Sequence, residues 1–216
     1  MGRAKVLRIL CALFQEHFLG RSGLRLLDVG GGNGIVSRVV LERFPGHAVT
    51  VLDGSQVMLD EARKNLEGHA YTLIHRTFEE HLDRAPEEQS YDFVYSSMAI
   101  HHLSHMDKLR LYSNLYASLD FGGLFLNYDV VKPPSDRAEA WAFRLWRDWM
   151  NERLAGSGRT AEIGKHDRLP DVYKSKSENK PSGLLEQLRV LQEVGFRDVD
   201  CHFKHGIFAL FGGAKS

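Results

Sequence analysis

Cysteine is nearly absent from this 216-residue chain: Cys11 and Cys201 are the only two, and they lie near its opposite ends. Two thiols so far apart, with no partner at metal-ligand spacing, exclude a disulfide-stapled scaffold and a cysteine zinc site, and suit a reducing cytoplasm. An excess of either charge is missing too: Lys+Arg and Asp+Glu each total 28, so the formal net charge is zero. Proteins that grip nucleic acid carry a basic excess or a basic stripe, and its lack disfavours a nucleic-acid partner. No apolar run approaches the roughly 20 residues that span a bilayer, so no membrane partner is expected. The first 20 residues are interrupted by Arg8, Gln15, Glu16 and His17. They lack the apolar core and cleavage site of a signal peptide, and read as a surface helix with Val6, Ile9, Leu10, Leu13 and Phe14 on one stripe.

What remains is the composition of an ordinary globular protein, 43% apolar and 26% charged, at a length that suits one large domain with a sizeable core. Short apolar runs at residues 24–29, 48–52, 71–74, 91–95 and 124–131 alternate with helical patterns at 36–44, 56–66 and 108–119. That rhythm predicts a parallel sheet covered by helices on both faces. It breaks at Pro133-Pro134. A helical pattern over 137–154 follows, then a polar stretch over 156–181 rich in Gly, Lys, Ser and Asp, which reads as a movable lid or connector. A helix over 184–194 and a hairpin of residues 199–203 with 207–211 close the chain. No repeat or low-complexity segment divides it, so residues 1–216 form one domain with an insertion at 133–181.

The glycine-rich turn after the first strand reads Asp28-Val29-Gly30-Gly31-Gly32-Asn33-Gly34. A nicotinamide fingerprint needs glycine at position 35, which is Ile35, and a phosphate-cradling loop needs Gly-Lys followed by Ser or Thr. Here a carboxylate, Asp28, precedes the turn. Negative charge is unfavourable beside a pyrophosphate and favourable beside a sulfonium and an α-amino group. About twenty residues on, Asp53 ends the second strand, where a carboxylate can accept hydrogen bonds from both hydroxyls of a ribose. Met58, one turn into the next helix, is placed to lie against an adenine face.

Together with Tyr91-Asp92-Phe93-Val94, the segment from Ser96 to Leu103 (Ser-Ser-Met-Ala-Ile-His-His-Leu) and Gly122-Gly123, these motifs resemble those of class I S-adenosylmethionine-dependent methyltransferases. The closing residues, 193–213, are similar to those of a small, mostly uncharacterised single-domain branch. The resemblance implies a three-layer α/β/α sandwich of strand order 3-2-1-4-5-7-6, strand 7 antiparallel, with a helical lid after strand 5. It implies S-adenosyl-L-methionine as cofactor, held by Asp28, Gly30, Gly31, Gly32, Asn33, Asp53, Met58, Thr77, Phe78 and Ser96, and a small-molecule N, O or C nucleophile as acceptor. The chain departs from the family at Thr77, where many relatives carry an acid for the adenine amino group. Its 23 residues before the first strand are also short for a closing cap. A reaction of the carboxy-S-adenosylmethionine synthase type is the alternative, and a silent S-adenosylmethionine-binding module a third.

By resemblance His101 faces the acceptor, as a general base or a polar wall, and His102 is buried and hydrogen-bonded. His101, His102 and His105 crowd one segment, but with only Asp107 nearby no metal site is expected. Asp129 ends the fifth strand, either as a substrate contact or as a capped strand end. Trp141, Trp146 and Trp149 concentrate on the helix that follows. Trp146 and Trp149 are candidates for an aromatic acceptor wall, with plain packing as the other reading.

Overall fold

The computed structural model describes residues 3–85, 91–164 and 167–216. Helix α1 (Arg3–His17) leads into β1 (Arg25–Val29), and strands and helices then alternate through α2 (Ile35–Arg43), β2 (Ala48–Asp53), α3 (Gln56–Asn65) and β3 (Ala70–His75). A short helix α4 (Phe78–Leu82), β4 (Tyr91–Ser97), α5 (His105–Ser118) and β5 (Leu119–Val130) complete the alternating part. Helices α6 (Asp136–Gly156), α7 (Leu169–Ser175) and α8 (Leu184–Val194) precede the hairpin of β6 (Arg197–His205) and β7 (Phe208–Ala214).

The seven strands form one sheet in the order β3-β2-β1-β4-β5-β7-β6. The pairs from β3 to β5 are parallel, and β7 runs antiparallel to both β5 and β6. Side chains of a strand point alternately to its two faces, and β1 shows how that builds the core. Leu26 packs with Phe14, Val36, Val40 and Phe93 on one side of the sheet. Leu27 packs with Leu111, Leu115, Phe125 and Phe211 on the other. Both faces of β1 are therefore buried, which is why its sequence shows no polar alternation.

Helix α1 is less a surface helix than its charges suggest. Val6, Leu10, Cys11 and Phe14 are buried, and the Phe14 ring sits 4.8–5.1 Å from the rings of Phe18, Phe44 and Phe93. Helix α4 has too few residues to show a period. Its signal is a capping box: Glu80 N donates to Thr77 Oγ1, and Thr77 N to the Glu80 carboxylate. The 156–181 stretch contains helix α7 and a single helical turn, Thr160–Glu162, while residues 165 and 166 lie outside the described residues. Near the end of the chain, the buried Lys215 ammonium donates to the carbonyls of Tyr116 (2.9 Å) and Leu119 (2.7 Å). A cation at that place satisfies the orphan carbonyls at the end of α5 and complements its dipole.

Candidate functional site

A pocket of about 550 Å³ opens beyond the carboxyl ends of β1, β2 and β4, where open α/β sheets present their ligand sites. Its floor is the turn after β1. The N–H groups of Gly30 and Gly31 donate to Leu52 O, tying the turn to the neighbouring strand. Gly30 has φ +67°, and a Cβ there would lie 2.4 Å from that of Ala99. At Gly31 a Cβ would lie 2.7 Å from both the Asp28 carboxyl carbon and Val51. The chain therefore passes bare backbone over the top of the sheet, along the floor of the pocket.

Asp53 borders this floor. One carboxylate oxygen accepts from Gly32 N and the other from Ser55 N, each at 2.8 Å. Each oxygen can accept a further hydrogen bond, and Asp53 lines the pocket, which suits a pair of vicinal hydroxyls. Met58 and Phe78 line the pocket with Gly30, Gly31, Gly32 and Asn33. The Met58 methyl lies 3.2 Å from the place a Gly32 Cβ would occupy. Asn33 is held from behind, its carbonyl accepting from Asn65 Nδ2 at 2.9 Å.

Two expected contacts sit elsewhere, and a third is already engaged. Asp28 is fully buried under the turn, accepting from Ser37 Oγ at 2.6 Å, and Ser37 in turn meets the Tyr95 hydroxyl at 2.8 Å. Its charge supports the loop from beneath instead of lining the pocket. Burial and the nearby Asp28 carboxylate push the Tyr95 phenol well above its usual pKa, so it stays a hydroxyl. Ser96 is also fully buried, donating to Val29 O at 2.7 Å. Strand alternation puts its neighbour Ser97 in the pocket wall. Thr77 lines the pocket, but its hydroxyl already accepts from Glu80 N as the cap of α4, and Glu79 lies beside it. Nothing in the spacing had singled out Ser97, Glu79 or Arg76, which also line it.

The histidines reverse their expected places. Beyond β4, Met98 adopts φ +61° and turns the chain into the single helical turn Ile100–His102. His101 then faces inward, 6% exposed, with its N–H and its Nδ1 against the two oxygens of Asp129, at 2.7 and 2.5 Å. Val130 N adds a third donor to that carboxylate, so Asp129 is a capped strand end as well as the partner of His101. His102 is exposed and lines the pocket with Ser97, Met98 and Ala99.

The aromatic helix α6 packs away from this wall. Ala142 and Phe143 join Val130 and Ile207 in a separate small cluster. Trp146 sets its edge on Phe208 with ring centroids 5.2 Å apart, and Trp149 carries the Arg153 guanidinium at 5.5 Å. Neither tryptophan lines the pocket. The insertion reaches the site through its last residues. Lys180 N donates to His101 O at 2.8 Å, and the Glu178 carbonyl meets His102 Nδ1 at 3.1 Å. Beneath them the buried Lys108 ammonium donates to Lys180 O and to Ser182 Oγ at 3.0 Å. Burial pushes its pKa down to about 8, against the opposing pull of Asp129 and Glu186. Among the described residues no cluster of three His, Cys, Asp or Glu side chains is arranged to hold a metal ion, and no helix is long and apolar enough to cross a membrane.

Residues 26–123 match the family model described as a methyltransferase domain. Over 98 residues the chain is 34% identical to malonyl-[acyl-carrier protein] O-methyltransferase 1 of Ilyobacter polytropus, a stretch that is 45% of this chain and 35% of that one. So the chain spans about a third of that relative's length. It is 24% identical over 214 residues to carboxy-S-adenosyl-L-methionine synthase of Chromohalobacter salexigens, covering 96% of this chain and 74% of that one. Among solved structures, the apo form of the S-adenosylmethionine-dependent methyltransferase SibL superposes with a TM-score of 0.66 at 19% identity, over 98% of this chain and 55% of SibL. Residues 26–123 thus match a methyltransferase domain, and the sheet order around them is a fold shared with SibL.

Proposed function

We propose that this chain binds S-adenosylmethionine in the pocket above β1 and β2 and directs its methyl group to a small-molecule nucleophile, at N, O or C. The observation that carries the reading is Asp53. Its carboxylate is braced by Gly32 N and Ser55 N and turned to a pocket whose other walls are bare glycine backbone, Met58 and Phe78. That set fits a ribose, an amino-acid chain and a purine ring, and the volume lies within the range of about 300–1,000 Å³ common to small-molecule sites. The bound cofactor supplies an already activated methyl on sulfur, so the protein's work is alignment and exclusion of water. The glycine floor and Asp53 fix the donor. Ser97, Met98, Ala99 and His102 form the wall nearest the acceptor. The end of the insertion, at Glu178 and Lys180, ties down the His101–His102 turn that carries this wall.

Calorimetry tests the reading directly: S-adenosylmethionine and S-adenosylhomocysteine bind, and nicotinamide dinucleotides do not. Absence of S-adenosylhomocysteine binding overturns it. The similarity to a carboxy-S-adenosyl-L-methionine synthase across most of the chain favours a second reading, in which the methyl-sulfonium itself is remodelled. Mass spectrometry of the nucleotide product separates the two, because methyl transfer leaves S-adenosylhomocysteine.

A further inference from the structure

We infer that the outer face of α6 around Trp141 is a docking surface for an acidic helix of a partner protein. The inference is independent of the methyltransfer reading, and it concerns a face of the chain outside the pocket described above.

A second cleft, of about 420 Å³, lies on α6 and is lined by Ser135, Arg137, Ala138, Trp141 and Arg144. Spacings of four and three residues put Arg137, Trp141 and Arg144 on one stripe of the helix, and all three are exposed. Trp141 is 58% exposed, and among the described residues its indole meets no other ring and no cation. Trp146, by contrast, lies on Phe208, and Trp149 carries the Arg153 guanidinium. Of the acids on this helix, only Asp148 stands three or four positions from either arginine of the stripe, and it pairs with Arg147. Glu139 is held by Lys174. Among the described residues, then, neither Arg137 nor Arg144 has an ion-pair partner.

The occupant follows from what these groups can hold. A guanidinium grips a carboxylate in a bidentate fork, and an indole takes an apolar side chain. Arg137 and Arg144 are two turns apart, about 10.5 Å along the axis. A second helix laid along α6 has the same rise. It matches that spacing with carboxylates seven positions apart and an aliphatic residue between them. Ala138, beside the indole, lets the partner come close. A free anion would use the guanidiniums and leave the indole bare. Nucleic acid needs a longer run of cations than two, and the chain has no net positive charge. Arginine and tryptophan are also the residues that carry most of the binding energy where proteins meet. Helix α6 begins at Asp136, just after β5 ends at Val130, so the docked partner stands at the carboxyl edge of the sheet, where the pocket opens.

The probe is a fluorescein-labelled, alanine-rich helical peptide with two glutamates seven positions apart and a leucine between them. A control peptide carries glutamine at both sites. The acidic peptide should bind, the control about tenfold more weakly, and salt raised from about 50 to 300 mM should weaken the acidic peptide. Arg137→Gln with Arg144→Gln, and separately Trp141→Ala, should each weaken it about tenfold. Amide shifts on titration should centre on residues 135–148. Both variants should keep the parent's urea midpoint, because the three side chains are exposed. Failure of the acidic peptide to bind, or equal binding by the control peptide or by the variants, overturns the inference. Tighter binding of inorganic phosphate or of a single-stranded oligonucleotide at the same residues overturns it too. So does a lowered midpoint in Trp141→Ala, which would give the indole a place in the fold instead.

Discussion

The Gly32 amide donates to the Asp53 carboxylate at 2.8 Å, so the glycine floor and the end of β2 move as one piece. Asp53 braces the loop and, in the function proposed above, also receives the donor's ribose. Asp53→Ala removes both and should weaken S-adenosylhomocysteine by about 1.5–3 kcal/mol, since each bond is charge-assisted. Isothermal titration is the check, and unchanged affinity would remove Asp53 from the site.

Trp146 meets Phe143, Tyr173 and Phe208 in the small cluster that seats α6 on the β7 end. Trp146→Ala should cost about 2–4 kcal/mol of stability, less than a fully enclosed aromatic because the ring is only half-buried. Donor affinity should change less than about twofold. Denaturant unfolding and calorimetry on the same variant decide it; a stable variant with weakened donor would put α6 over the pocket.

Lys108 is 2% exposed and holds the end of the insertion from beneath. Lys108→Met keeps the bulk but leaves the Lys180 carbonyl and Ser182 hydroxyl without that donor. The Lys180 amide, bonded to His101 O, should then exchange at least about tenfold faster with deuterium, while amides of β1 and β4 keep their protection. Equal exchange in parent and variant would show that Lys180 is held without it.

His47 supplies a pH dependence whose sign is set by one bond. Its Nδ1 accepts the Leu24 amide at 3.0 Å and so must be bare. Burial lowers the ring's pKa below 6.5, with Asp92 opposing. The unfolded ring then takes up a proton at a pH where the folded ring has not. Stability from this group is complete above about 6.5 and falls as pH drops through that value toward the folded one, by at most about 1.4 kcal/mol per pH unit. His47→Gln should flatten this part of the acid limb. Urea unfolding of both proteins between pH 7 and 5 would expose parallel curves if the bond were unimportant.

The sheet was readable in the sequence because each parallel strand is an apolar run closed by a helix signal, and because the residues after β1 fit only a bare-backbone turn. The pocket floor was readable for the same reason: Asp53 and Met58 follow from their distance from that turn, while Phe78 came from the family resemblance. The histidine wall was not. Which of His101 and His102 turns inward depends on the positive φ of Met98 and on a helical turn of three residues, whose successive side chains point about 120° apart. One of them meets Asp129, a residue 28 positions away. Ser96 and Ser97 differ by a single strand position in the same way. Thr77 could be placed but not assigned, since its hydroxyl is used by the Glu80 amide of a helix too short to show a period.

The strand order has a consequence for synthesis on the ribosome. Strand β7 lies between β5 and β6, so the free edge of β5 finds its partner only when residues 208–214 have emerged. At about 5–20 residues per second, that edge waits roughly 4–16 seconds after β5 itself appears. During that interval Leu124, Phe125 and Leu126 form an apolar strand with an unpaired row of amides and carbonyls, the pattern that recruits foreign strands. The nascent chain is therefore most prone to aggregation in the window between its fifth strand and its seventh, well after strands β1 to β4 have emerged.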